Sequence, residues 1–374
     1  MGEMPDRTIL ALGGELKSRF CLLAHGQAMH GGPGGDLAEV RHFDVLATAV
    51  EALLLQHRPD AIGVDLHPEY LSRKYGAELA RRFGVPLLGV QHHHAHIASV
   101  LGEHAIDAAE PVLGIALDGL GYGVDGTLWG GELLLCRQGA FERLGALAPV
   151  AMPGGEMAAR QPWRNALAHL HAVFGAGWRR ELHGCRFAQE LEAFPTGAVE
   201  SLLAHNVRSP AASSCGRLFD AVAALLGLHA RQVAFEGEAA MALEALATEA
   251  EAGQGYPLSC ERAGELWRLG YRPMWQALLA DLRDGVALPI IAARFHLGLA
   301  SALAGLTLRL CDERQVRRVA LSGGCLQNRL LSNKLQAELS AKHLQVLLPV
   351  ALPAHDGGLA FGQAQVAAAR LDSL

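Results

Sequence analysis

ALDGLGYG, residues 116–123, closes the apolar run Pro111–Leu117 with an aspartate and three glycines. A short buried strand that empties into such a turn lets backbone amides come close to a phosphate. Two other stretches share the pattern: ALGGELK at 11–17, after Thr8–Leu12, and ALSGGCLQN at 320–328, after Val319–Leu321. Further short runs, Ala61–Leu66, Leu87–Val90 and Glu132–Cys136, also read as strands. Between the strands lie alanine- and leucine-rich segments with helical spacing: Val45–Leu55, Glu78–Phe83, Ala221–Leu228, Phe295–Cys311 and Asn333–Leu339. Strands alternating with helices predict an α/β fold. The echo among the three glycine turns has no fixed period, so it marks two related lobes facing a nucleotide rather than a tandem repeat.

The chain has 374 residues, too many for one average domain. We expect an N-terminal lobe over 1–109 and a C-terminal lobe over 110–374, with the last helix, about 356–374, packing back on the N-terminal lobe. The region 139–216 is less regular and reads as an insertion or a cover over the cleft. Apolar residues make up 51% and charged residues 19%, which supports a large core. A formal charge of −6 argues against a nucleic-acid backbone as the main partner. The seven cysteines include no C-x-x-C pair, and an odd, irregular set is a poor disulfide framework. They are expected to be mostly buried in a protein of a reducing compartment, the cytoplasm. The opening MGEMPDRTILALGGELKSRF has the pattern of neither a secretory nor a transit leader, and no uninterrupted apolar run approaches ~18 residues, so no membrane span is expected.

The chemistry concentrates in GVQHHHAHIASVLGEH, residues 89–104. If a helix begins just after Leu87–Val90, His92 and His96 stand one turn apart on one face and can bind one divalent metal. His93 and His96 form the competing pair, and His94 points elsewhere. Two aspartates end apolar runs just before glycines and can complete the set: Asp118 in IALDGLGYG and Asp356 in LPAHDGGLA. His355 is at most an outer group.

Six segments together resemble one family: VQHHHAHIASVL, ALDGLGYGVDGTLWGGELL, SSCGRLFDAVAALLGL, FEGEAAMALEA, ALSGGCLQNRLL and LPAHDGGLAFGQ. They are similar, in order and from about Ile9 to Gln365, to the carboxy-terminal carbamoyltransferase module of HypF-type hydrogenase maturation proteins. That module is similar in turn to TsaD, the tRNA threonylcarbamoyl transferase. The resemblance implies the two-lobed actin/hexokinase-type (ASKHA) nucleotide-binding fold with a central cleft. It also implies that His92 and His96, chosen over His93 by the H-x-x-x-H form of TsaD, hold one iron or zinc ion with Asp118 and Asp356. Asp220 is then the acid facing a ribose, Gly237 the glycine beside it, and Asn328 a nucleotide contact, with Gly323 and Gly324 against the AMP portion.

The implied activity transfers a carbamoyl group from carbamoyl adenylate, made from carbamoyl phosphate and ATP with magnesium, to the C-terminal cysteine thiol of HypE. The product feeds synthesis of the cyanide ligands of [NiFe]-hydrogenase. In full-length HypF, acylphosphatase-like, zinc-finger and YrdC-like domains lie upstream. None is in this sequence, which therefore reads as a short form or an excised module. The alternatives are a TsaD-type enzyme acting on tRNA and a non-catalytic subunit that only docks HypE. The net charge, HHHAH and LWGGE at 128–132 lean to HypF. Other roles stay open at this level. Lys17 either neutralises a phosphate or is solvated; Arg160 and Arg164 either clamp phosphate, meet the partner or form salt bridges; His67 reads as a packed polar residue; and Cys325 reads as an inert thiol rather than a carbamoyl carrier.

Overall fold

The computed structural model describes residues 7–247 and 253–371. Strands β1 (Ile9–Ala11), β2 (Phe20–Ala24), β3 (Gln27–Gly31), β4 (Ala61–Asp65) and β5 (Leu87–Val90) form one sheet in the order β3-β2-β1-β4-β5. The first three make an antiparallel meander; β4 and β5 join parallel to β1. Both faces of this sheet are covered, which is why β1 and β4 are apolar without alternation. Helices Val40–Leu54 and Leu71–Phe83 bury Leu46, Val50 and Leu79 against Leu10, Leu12 and Leu22 on one face. Helix Leu359–Leu371 covers the other, setting Ala360, Ala364 and Ala367 against Ile9, Ala11 and Cys21.

The second sheet comprises β6 (Val112–Tyr122), β7 (Leu128–Cys136), β8 (Phe141–Leu147), β9 (Val150–Ala151), β10 (Ala211–Ala212), β11 (Ser259–Ala263), β12 (Leu266–Gly270), β13 (Arg318–Ser322) and β14 (Gln345–Leu347). Its path β8-β7-β6-β13-β14 repeats the order and the strand senses of the first sheet, and β12 and β11 extend it beyond β8. This duplicated five-strand unit is the actin/hexokinase-type fold. It also accounts for the sequence echo. ALGGELK leaves the first strand of the first unit and ALSGGCLQN the fourth strand of the second, whereas ALDGLGYG lies within the first strand of the second unit: β6 does not end at Leu117 as expected but runs on through an irregularity at Asp118–Leu120 to Tyr122. At Gly323, φ is +106° and a Cβ would lie 2.2 Å from the Leu117 carbonyl oxygen, so only glycine lets β13 exit this close to β6.

Two helices cross between the sheets. Helix His92–Glu103 follows β5 yet packs Ile97, Val100 and Leu101 on the second sheet, against Val112, Ala116 and Ala320. Helix Leu359–Leu371 follows the second sheet yet covers the first. The two touch along Ala95, Ala98, Leu359 and Val366.

One further feature differs from the sequence reading. The region 139–216 is not a cover: β8 lies inside the sheet, and helix Pro162–Phe174 buries Trp163, Leu167 and Leu170 in the largest core cluster. Its glycine and proline interruptions hid the apolar period. Cys260 is exposed on the edge strand β11, whereas Cys21, Cys136, Cys185, Cys215 and Cys311 are buried. Helix Leu288–Arg314, at 27 residues, is long and apolar enough to cross a membrane, but Ile291, Phe295, Leu299 and Leu303 are fully buried and it serves as a core helix.

Candidate metal centre and nucleotide cavity

β5 delivers the chain to Gln91, whose side chain accepts the His94 amide proton at 2.8 Å and caps helix His92–Glu103. His92 therefore occupies the first helical position, and His96 lies one turn on. Their ring centroids are 4.9 Å apart. β6 brings Asp118, whose Oδ1 is fixed by the Gly119 amide at 2.8 Å and the Gly324 amide at 3.2 Å. Its Oδ2 then faces His96 Nε2 at 2.9 Å and His92 Nε2 at 3.4 Å. Asp356 opens the short 3-10 turn Asp356–Gly358, and its Oδ1 stands 3.6 Å from His92 Nε2 and 3.5 Å from His96 Nε2. One ligand atom from each of the four residues lies within 4.8 Å of all the others. Donors about 2.1 Å from a central ion stand roughly 3.4 Å apart in a tetrahedron, so these separations fit one divalent cation.

The electrostatics agree. Burial disfavours charge on His92, yet Asp65, Asp118 and Asp356 outweigh it and hold its pKa well above the ordinary value. Burial likewise opposes charge on His96, whose pKa Asp118 and Asp356 raise. Burial pushes the carboxyls of Asp118 and Asp356 upward, and the two histidines more than reverse it, so both sit below the usual range. Two carboxylates this close, Asp118 buried and Asp356 partly so, need positive charge between them, from imidazolium protons or from a metal ion.

The other histidines of the run separate from this pair. His94 Nε2 donates to the Arg137 carbonyl at 2.9 Å, and burial lowers its pKa to about 4. His93 Nδ1 lies 3.1 Å from the Gln91 amide nitrogen, and its pKa is held well below the ordinary value by burial first. His355 Nδ1 accepts from the Gly357 amide at 3.0 Å, so it caps the turn that carries Asp356.

A cavity of about 280 Å³ opens beside the cluster, with Asp118 in its wall. Asp220, Gly237, Gly324 and Asn328 line it; Gly323 does not, being packed against Leu117. Asp220 pairs with Arg217 at 2.6 Å between Oδ2 and Nε, and burial raises its pKa against that pairing. Asn328 is heavily engaged: Oδ1 caps helix Arg329–Ser340 through the Leu331 amide, and Nδ2 donates to His296 Nε2 at 2.9 Å. Lys17 also lines the cavity and bonds Glu236 at 2.6 Å across the cleft. Arg160 bonds Glu156 at 2.5 Å, and Arg164 donates to Gln161 at 2.6 Å and to the Pro153 carbonyl; neither lines the cavity. His67 stacks on Tyr70 with centroids 4.2 Å apart. Cys325 lines the cavity as a half-buried thiol whose pKa is raised by Cys215 and then by burial, the opposite of an activated nucleophile.

Sequence reasoning missed Arg217, Glu236 and above all Asp65, a buried carboxylate whose Oδ2 lies 2.8 Å from His92 Nδ1. The signal for Asp65 was present: a charged residue closing the apolar strand AIGVD.

Duplicated sheets, a cleft cavity and a His/Asp cluster that shares Asp118 with its wall define an actin/hexokinase-type fold with a metal-site-like centre. Comparison with known proteins narrows this class. Residues 114–363 match the family described as "Carbamoyltransferase, Kae1-like Domain, second subdomain", and residues 4–103 match the "HypF Kae1-like domain". The chain belongs to the HypF carbamoyltransferase family. It is 42% identical over 368 residues to carbamoyltransferase HypF of Rhodobacter capsulatus, covering 98% of this chain but 47% of that protein. A shorter carbamoyltransferase HypF homolog of Cupriavidus necator is 41% identical, with 96% of this chain and 91% of that one covered. Thus the chain spans about half the length of most of these relatives and nearly all of the short one. Among solved structures, full-length HypF in its phosphate- and nucleotide-bound form superposes with a TM-score of 0.91 at 32% identity, covering 100% of this chain and 57% of that chain. HypF of T. kodakarensis gives 0.89 at 32% identity, covering 99% and 49%.

Proposed function

We propose that the chain transfers a carbamoyl group from carbamoyl adenylate to the C-terminal cysteine thiol of HypE, with one iron or zinc ion held by His92, His96, Asp118 and Asp356. The observation that carries this reading is that Asp118 belongs to both the donor cluster and the cavity wall. A nucleotide seated there presents its reactive end to the cluster. The bound ion would act as a Lewis acid towards the carbamoyl or phosphate oxygen. The amides of Gly119 and Gly324 orient Asp118, and Lys17 and Arg217 supply the positive charge that a phosphate needs. Gly237, Gly324 and Asn328 shape the wall, and Asp220 is the acceptor for a ribose hydroxyl.

The acceptor thiolate attacks the carbamoyl carbon; a C–S bond forms, the C–O bond to the adenylate phosphate breaks, and AMP leaves with the electron pair. The thiol belongs to the partner, which agrees with the raised pKa of Cys325. Because the donor is already a mixed anhydride, positioning supplies much of the rate gain. Synthesis of that donor from carbamoyl phosphate and ATP lies outside this reading, and a cytoplasmic, thiol-reducing setting is part of it. Incubation of the chain with carbamoyl adenylate and HypE tests it. A gain of one carbamoyl group by intact HypE, absent when its C-terminal cysteine is changed to serine, supports it. Complex formation without a mass change refutes it in favour of docking.

A further inference from the structure

We infer that Asp65 is the positioning residue that fixes the tautomer of His92 and thereby aims its Nε2 lone pair into the donor cluster; this rests on the metal reading above. Asp65 is the last residue of β4, registered against Val90 of β5, and is 0% exposed. The same register brings the start of the histidine helix, two residues beyond Val90, over the Asp65 carboxylate. Each carboxylate oxygen has one task. Oδ1 accepts the His67 amide proton at 2.9 Å, and Oδ2 faces His92 Nδ1 at 2.8 Å. The Asp65 carbonyl, in turn, accepts from Arg73 Nη1 at 2.7 Å, so the residue is held from both ends.

A carboxylate accepts only, so the proton on a neutral His92 must sit on Nδ1. Nε2 is then the free donor atom, on the side where Asp118 and Asp356 lie 3.4 and 3.6 Å away. The negative charge of Asp65 also makes that nitrogen a stronger ligand. Asn at this position reverses the logic while keeping shape. The His67 amide still claims the oxygen, which leaves the NH2 group facing Nδ1. The imidazole then accepts at Nδ1, carries its proton on Nε2, and turns an N–H towards the ion.

The test is affinity for Zn2+ alone, measured by competition with a chromophoric chelator, for the full chain and for Asp65→Ala and Asp65→Asn. Thermal unfolding without zinc checks the fold of each. We expect Asp65→Ala to weaken binding by about 10–100-fold, and Asp65→Asn to weaken it at least as much. A merely structural carboxylate predicts the opposite order, because asparagine preserves volume and hydrogen bonding. Wild-type zinc affinity in a folded Asp65→Asn overturns the inference. A wild-type chain that takes up no zinc overturns the metal reading first and this one with it. Should both variants unfold, 15N spectra of imidazole-labelled, zinc-loaded wild-type protein decide: a His92 ring protonated at Nδ1 supports the assignment, and one protonated at Nε2 overturns it.

Discussion

Gly362→Ala links packing to chemistry, because it separates the two helices that carry the centre. A Cβ at Gly362 would lie 1.8 Å from the Ala95 carbonyl oxygen. An ordinary carbon–oxygen contact is about 3.3 Å, so the helices must part by roughly 1.5 Å. The obstacle is backbone, which places the cost near the upper end of overpacking, about 3 kcal/mol. Replacing a helical glycine by alanine returns about 1 kcal/mol of propensity, for a net loss of roughly 2 kcal/mol. Ala95 sits between His92 and His96, and Asp356 opens the turn that leads into the Gly362 helix. A shift of that size against metal bonds of about 2.1 Å costs the site at least one ligand and about 100-fold in affinity. Denaturant unfolding gives the first quantity and chelator competition the second. A variant as stable as wild type with unchanged zinc affinity would refute the claim that this contact sets the distance between the histidine pair and Asp356.

His92→Ala should deplete bound metal and abolish transfer with the fold intact; elemental analysis beside circular dichroism checks this, and full metal retention contradicts it. Asp118→Ala leaves three ligands, so metal is partly retained while transfer is lost in the mass assay. Zinc affinity should rise with pH. The raised pKa values of His92 and His96 mean that their protonated pairing with the carboxylates stabilises the metal-free chain fully below the ordinary value of about 6.5 and is lost as pH climbs through the raised values. Zinc displaces those protons, so calorimetry in buffers of different ionisation heat should show proton release on binding that fades once the pH exceeds the raised values. Lys17→Ala should weaken AMP binding about tenfold by removing a charge-assisted phosphate contact and leaving Glu236 unpaired at the cavity, as read by titration calorimetry.

Much of this arrangement was legible before the structure because its signals are local. Glycines near strand ends, His92 and His96 at i,i+4, and aspartates closing apolar runs each follow from one short segment, although Asp118 lies inside β6 and Asp356 opens a 3-10 turn, so neither directly follows a strand. Strands β1, β4, β5, β6, β7 and β13 were visible as unbroken apolar runs, whereas β3 and β11 were missed because solvent-facing side chains dilute the apolar signal; β2, β8, β12 and β14 were missed as well, β2 although its run FCLLA is fully buried. Asp65 illustrates the harder case. Its partner lies 27 residues away and is set by β4–β5 register, which no local pattern encodes. Asn328 shows the reverse: a residue picked out by its motif proves to be a helix cap bonded to His296 as well as a cavity wall. The Arg217–Asp220 pair is spaced i,i+3 and was open to inspection, yet only burial distinguishes it from a surface pair.

The central claim is that two imidazoles and two carboxylates share one ion at the edge of a nucleotide cavity. Anomalous diffraction from crystals of the chain grown with AMP and zinc or iron tests it most directly. The account predicts one metal peak within about 2.0–2.2 Å of His92 Nε2, His96 Nε2, Asp118 and Asp356, with the nucleotide phosphate on the Asp118 side. A peak bound elsewhere, or a nucleotide seated away from Asp118 and Gly324, would contradict it.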